Sequence, residues 1–121
     1  MTQEEWFKKI VKSCEDVGTY QEPFNPVIET LAAILERRDE TEQMYKASGS
    51  KALVKHVNKG GNANIEQNPA LRLINDLNRD ALAYWRELGL TPKGLKQINE
   101  AAIKETKKKS TLEAALHALE T

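Results

Sequence analysis

The stretch NPALRLINDLNRDALAYWRELGLTP, residues 68–92, decides the reading of this chain. Asn68 is a residue type that caps helices, and Pro69 suits the first helical position because its missing N–H costs nothing there. Leu71, Ile74, Leu77, Ala81, Trp85 and Leu88 then recur at intervals of three and four, the period of one helix face. Gly89 can take the left-handed backbone that closes a helix, and Thr91-Pro92 opens another. One amphipathic helix with both ends marked therefore sets the fold class.

Working outward, the same kind of signal repeats. Upstream, Asn25-Pro26 starts a helix, with Asn25 as the expected cap and Val27, Ile28, Leu31, Ile34 and Leu35 as its apolar stripe. That helix is expected to continue through Met44 and Tyr45 to Gly49. Further upstream, Thr2 and Glu5 have the spacing of a capping box. Trp6, Phe7, Ile10, Val11, Cys14 and Val17 follow at helical spacing, and Gly18 stops the run. Between the second and third helices, Leu53-Val54-Lys55-His56-Val57, the turn cluster Asn58-Lys59-Gly60-Gly61-Asn62 and the segment from Ala63 to Gln67 spell a short β-hairpin. A lone hairpin is marginal, so it is expected to lie on the helices or on a neighbouring subunit. Downstream, Leu95, Ile98 and Ala102 mark a short helix, and Ser110 with Glu113 forms a second capping box that starts a last one. The expected fold is mainly α with one short hairpin. It is a single domain over residues 1–121, with a core at about 20–103 and a C-terminal helix at about 110–120.

Composition narrows the function classes. Lys and Arg number 18 and so do Asp and Glu, so the net charge is zero. That excludes a whole-surface electrostatic binder of nucleic acid and leaves room for a local patch. A helical chain of 121 residues with few aromatics has a small core, which favours completion by self-association. Cys14 is the only cysteine, so no intrachain disulfide can form; it falls on an apolar stripe and is read as a small core residue. No run approaches 18 apolar residues, and Met1-Thr2-Gln3-Glu4-Glu5 is acidic where a secretory signal is basic. The expected location is the cytoplasm.

No catalytic constellation is present in the sequence. His56 and His117 stand alone, and there is no HExxH, CxxC or GxSxG motif and no phosphate loop. Gly60-Gly61 is better read as a turn, and Asp39, Glu40 and Glu42 as a solvated helix face rather than a cation site. The chain is therefore expected to be no enzyme, with no catalytic residue, no metal and no cofactor. Charge clusters are more informative. Lys93, Lys96, Lys104, Lys107, Lys108 and Lys109 are opposed only by Glu100 and Glu105, a local excess of about four positive charges. Such a patch can hold phosphates without reading bases; the competing reading is a solvated linker. Lys8, Lys9 and Lys12 are balanced by four acids of the same helix. Arg72, Arg79 and Arg86 recur every seven residues, as either a salt-laced surface or a contact with acids of a neighbour.

The order Asn68-Pro69-Ala70-Leu71, Leu77-Asn78, Ala81-Leu82, Trp85 and Leu88-Gly89-Leu90-Thr91-Pro92 resembles the P27 family of phage terminase small subunits. The helix start from Phe24-Asn25-Pro26 to Leu31 and the hairpin Val57-Asn58-Lys59-Gly60-Gly61 agree with it, and the likeness spans roughly residues 20 to 103. Lys93-Gly94-Leu95-Lys96 departs from the small polar residues and arginine that many members carry there, and Gly94 weakens a helix start by about 1 kcal/mol relative to alanine.

The resemblance implies a protein of the bacterial host cell that recognises double-stranded phage DNA and assembles as a ring-like homo-oligomer. It also implies a partner, the large terminase subunit, which holds the ATPase and nuclease. The candidate DNA contact rests on charge alone: Lys93, Lys96, Lys104, Lys107, Lys108 and Lys109. Leu71, Arg72, Ile74, Leu77, Arg79, Trp85 and Arg86 are the candidate oligomer interface. Leu112, Leu116 and Leu119 are the candidate contact with the large subunit. Two rivals share the helices: a structural or adaptor protein, and a small helix-turn-helix regulator that would use Lys93 and Lys96 near a recognition helix start.

Overall fold

The computed structural model describes residues 1–120. Helix α1 covers Gln3–Val17. The Thr2 hydroxyl accepts from the Glu5 backbone N–H and donates to the Glu5 carboxylate, both at 3.2 Å, so Thr2 caps the helix as its spacing predicts while Glu5 holds the hydroxyl rather than the Thr2 backbone N–H. Gly18 ends the helix with φ 79°, a left-handed conformation that glycine adopts without steric cost. A single 3-10 turn, Glu22–Phe24, then runs straight into α2, Asn25–Ala47.

This corrects the reading of Asn25 as a cap. Its backbone is already helical, and its carboxamide oxygen accepts from the Tyr20 hydroxyl at 2.9 Å. Phe24 takes the capping position without a side-chain bond. The α2 stripe that enters the core is Ile28, Leu31, Ala32 and Leu35, at the spacing of one helix face.

Strands β1, Leu53–Val57, and β2, Ala63–Gln67, pair antiparallel. At the tip, the Asn58 carboxamide oxygen accepts from the Gly60 and Asn62 N–H groups, both at 3.0 Å. At the base, Asn68 has three tasks. Its side chain caps α3, Pro69–Glu87, by accepting from Ala70 N–H at 3.0 Å; its amide nitrogen donates to Lys51 O at 2.9 Å; and its backbone N–H donates to Ala52 O at 2.8 Å. Asn68 thus ties the hairpin stem to the helix start. The blade is a different matter: nine of its ten residues are exposed. Of the two expected supports, the chain's own helices and a neighbouring subunit, the first does not cover it.

Helix α4 runs from Pro92 to Glu120. The Thr91 hydroxyl accepts from the Gly94 N–H at 3.0 Å and caps it. The expected break after the lysine run is absent, so there is no separate helix at 110–120, and Ser110 lies within α4. A Ser-x-x-Glu spacing caps only when the chain arrives from non-helical backbone. Residues 95–120 contain no glycine or proline and are rich in Lys, Glu and Ala, so nothing stops the helix. The Thr106 and Thr111 hydroxyls bond back to Ala102 O and Lys107 O, at 2.9 and 3.0 Å.

The core is made by α1, α2 and α3. Ile10, Cys14, Ile28, Leu31, Ala32, Leu35, Ala81 and Leu88 form one buried cluster, with Trp6, Phe7, Tyr84 and Trp85 against its edge. Cys14 is a buried member as expected, and burial pushes its thiol up from the ordinary range, with the neighbouring Thr19 side chain opposing the shift in part. Ile10 and Cys14 bring α1 into this buried cluster.

A polar lock sits beside this cluster. Trp6 Nε1 donates to Asp39 at 2.8 Å, and Arg38 donates to Asp39 at 3.1 Å and to Asn78 at 3.4 Å while stacking over the Trp6 ring at 5.5 Å. Burial pushes the Asp39 carboxyl up, but the bonds from Trp6 and Arg38 outweigh it and hold the group below the usual carboxylate range. A depressed carboxylate stabilises the fold above its unfolded value, near 3.9. That stabilisation is lost as pH falls through the folded value. Asp39→Ala is expected to cost about 2 kcal/mol at neutral pH and to flatten the acid limb of the stability curve. Urea midpoints of variant and wild type between pH 7 and pH 3 check both.

Candidate nucleic-acid interface

The continuity of α4 turns a list of lysines into a surface. At about 100° per residue, Lys93, Lys96, Lys104, Lys107 and Lys108 fall within an arc of roughly 120°. From Lys93 to Lys108 they span about 22 Å, roughly two-thirds of a duplex turn. Lys109 lies outside this arc, on the far side of the helix. All six lysines are exposed, as is every residue from Lys96 to Leu119. Glu100 is the acid within the arc, and it pairs with Lys96 at 4.0 Å. The remaining four cations of the face have no acid against them among the described residues.

The base of α4 is fixed by close contact with the end of α3. Gly94 is buried, and a Cβ there would sit 2.3 Å from Arg86 O and 2.9 Å from the Thr91 hydroxyl oxygen. Gly94 is therefore not the weak helix start that propensity describes, because only glycine lets α4 approach the α3 backbone this closely. Past that base, α4 leaves the core, with its lysine face open to a large ligand.

Other basic groups are less free. Lys8 pairs with Glu4 at 3.6 Å and Lys9 stacks over Trp6 at 5.2 Å, in keeping with a balanced surface. Arg38 is held by Asp39, Asn78 and Trp6. Arg79 pairs with Asp76 of its own helix at 2.9 Å. Exposed pairs of this kind contribute about 0–1 kcal/mol.

The candidate oligomer interface on α3 does not survive intact. Ile74 and Leu77 are buried within the chain's own fold, so neither is available to a neighbour. Leu71 and Trp85 are half-buried, and Trp85 packs against the core. Arg72, Arg79 and Arg86 are exposed. The apolar periodicity marked the face that closes on α2. Leu112, Leu116 and Leu119 are all exposed and share an arc of roughly 60° that borders the lysine face, where Lys107, Lys108 and Leu112 line one pocket.

Two surfaces escaped sequence reasoning. One is the makeup of the hairpin's apolar face: the sequence placed the hairpin against a partner surface, but only the strand register shows which residues stand together on that face. The other is a groove edged by Phe24 and Val27, which no linear pattern marks because its walls come from α2 and α3 together.

No helix of the described residues is long and apolar enough to cross a membrane. A family model described as phage terminase, small subunit, matches residues 4–105, from the first turn of α1 to the middle of the lysine face. No curated protein matches, and no solved structure does. Matched over most of its length, the chain belongs to the phage terminase small subunits and has a role in phage genome packaging.

Proposed function

We propose that this small subunit binds double-stranded phage DNA through the lysine face of α4. It assembles as a ring-like homo-oligomer in the host cytoplasm and, itself without catalytic activity, recruits or regulates the large ATPase and nuclease subunit. Within the small subunits it falls in the P27 family, on the order of its Asn-Pro and Gly-Leu-Thr-Pro motifs. One observation carries the DNA reading: five lysines and a single acid share one face of an exposed helix, in a chain whose net charge is zero. Lysines on a regular face act as point charges toward phosphates, so the contact positions DNA with little reading of bases. The adjoining Leu112, Leu116 and Leu119 arc is the contact for the large subunit.

The test is a titration of duplex DNA of two unrelated sequences across a salt series. Affinity is expected to fall steeply with salt, by about 0.9 in log–log slope per phosphate neutralised, and to differ little between sequences. Binding that ignores salt would overturn the reading. The same preparation run on a sizing column gives the oligomer, and a 13.7 kDa species at high concentration would overturn self-assembly.

A further inference from the structure

The hairpin has two unlike faces. Its register pairs Leu53 with Gln67, Lys55 with Ile65 and Val57 with Ala63. Alternate residues of a strand share a face, so Leu53, Val57, Ala63 and Ile65 stand together, and Lys55 is the one charge among them. Ile65 is 76% exposed, Leu53 61% and Val57 59%. Two strands alone are marginal in water, and contiguous exposed apolar side chains mark an interaction site.

At the opposite end of the α2–α3 pair lies a groove of 340 Å³ lined by Phe24, Val27, Tyr84, Glu87 and Leu88. Phe24 and Val27 leave more than a third of their surface open, and Glu87 is the one charge in the lining. Neither Lys55 nor Glu87 has an ion-pair partner among the described residues. The hairpin stem leads into the start of α3 and Glu87 ends it, so the length of α3, about 27 Å, separates the two surfaces. The hairpin cannot reach the groove of its own chain.

We infer that the apolar face of the hairpin seats in the Phe24–Val27–Tyr84–Leu88 groove of a second copy of this chain, with Lys55 of one copy opposite Glu87 of the next. The inference rests on the proposed self-assembly and names its contact. Matching single charges of opposite sign on two apolar surfaces favour this occupant over DNA, whose backbone offers nothing to four apolar side chains. The two surfaces differ, so the contact is heterologous and repeats from head to tail, the kind of interface that closes a ring. It leaves the lysine face of α4 uncovered.

The test uses two full-length variants. Val57→Asp with Ile65→Asp blocks the hairpin. Phe24→Asp with Val27→Asp blocks the groove, at a capping position and in a first helical turn, where aspartate is well tolerated. Circular dichroism checks that helicity is kept. In sedimentation velocity, wild type is expected to assemble and each variant alone to run as a 13.7 kDa monomer. An equimolar mixture is expected to give a dimer of twice that mass and nothing larger, because one intact hairpin and one intact groove remain.

A second pair keeps the test independent of folding. Lys55→Glu and Glu87→Lys are each expected to weaken assembly at least tenfold, and the two together in one chain to restore it. Blocked variants that assemble like wild type, a mixture that stays monomeric, or a double charge reversal that fails to restore assembly would each overturn the inference alone. A wild type that is itself monomeric would overturn the self-assembly reading beneath it.

Discussion

Replacing Gly94 with alanine is expected to lower stability by about 2–3 kcal/mol, although helix propensity alone argues for a gain of about 1 kcal/mol. The sign is decided by what the new methyl group meets. An ideal Cβ lies 2.3 Å from the Arg86 carbonyl oxygen and 3.0 Å from the Arg86 carbonyl carbon. Both are backbone atoms at the end of α3, and a backbone carbonyl inside a helix cannot rotate aside as a long side chain can. α4 must therefore lift off α3, which also opens the space over Gly89, where a Cβ would meet Ile98 and Leu95 of α4. Gly60→Ala is the control, since its Cβ would meet only the Asn58 carboxamide oxygen at 3.4 Å. Chemical denaturation followed by circular dichroism checks the pair. A raised midpoint for Gly94→Ala would show that α4 does not pack on α3 in this way. Because the contact sets the direction of α4, the same substitution is expected to misplace the lysine face relative to the core.

The parts of the fold that were legible in the sequence are those written by short-range chemistry. Thr2 with Glu5, Asn68-Pro69 and Thr91-Pro92 each cap the helix they announce, because a side-chain oxygen and a fixed proline φ act within one turn. The hairpin strands fall where alternation and the Asn-Gly cluster put them.

What escaped depends on contacts between distant residues. Asn25 carries the same signal as Asn68, yet Tyr20 and a preceding 3-10 turn take it into the helix. Ser110 and Glu113 have capping spacing but no non-helical approach. Ile74 and Leu77 were correctly read as apolar, but periodicity says which face is covered and not by what; here it is the chain's own core. Gly94 looked like a defect because its reason is a carbonyl eight residues earlier. All six candidate lysines were visible as a run. That five of them share a face follows only once α4 is continuous.

That division sharpens the last prediction. Replacing Lys93, Lys104, Lys107 and Lys108 together with alanine is expected to flatten the log–log salt dependence of DNA affinity by about 3.6, if each neutralises one phosphate. Near physiological salt that corresponds to a loss of about a thousandfold for each contacting subunit. Lys96 is left in place because Glu100 already holds it. Alanine is the strongest helix former, so α4 should persist, and unchanged ellipticity confirms it. Lys109→Ala is the internal control: it removes the same charge from the far side of the same helix, so its slope should match wild type. A disordered linker would make Lys109 equivalent to its neighbours, and the two readings part at this single residue. If the fourfold variant keeps the wild-type slope, the contact is not on this face. It would then belong to Lys59 at the hairpin tip, to Lys51 before the hairpin or to Arg37, since Arg38 is committed to Asp39 and Trp6.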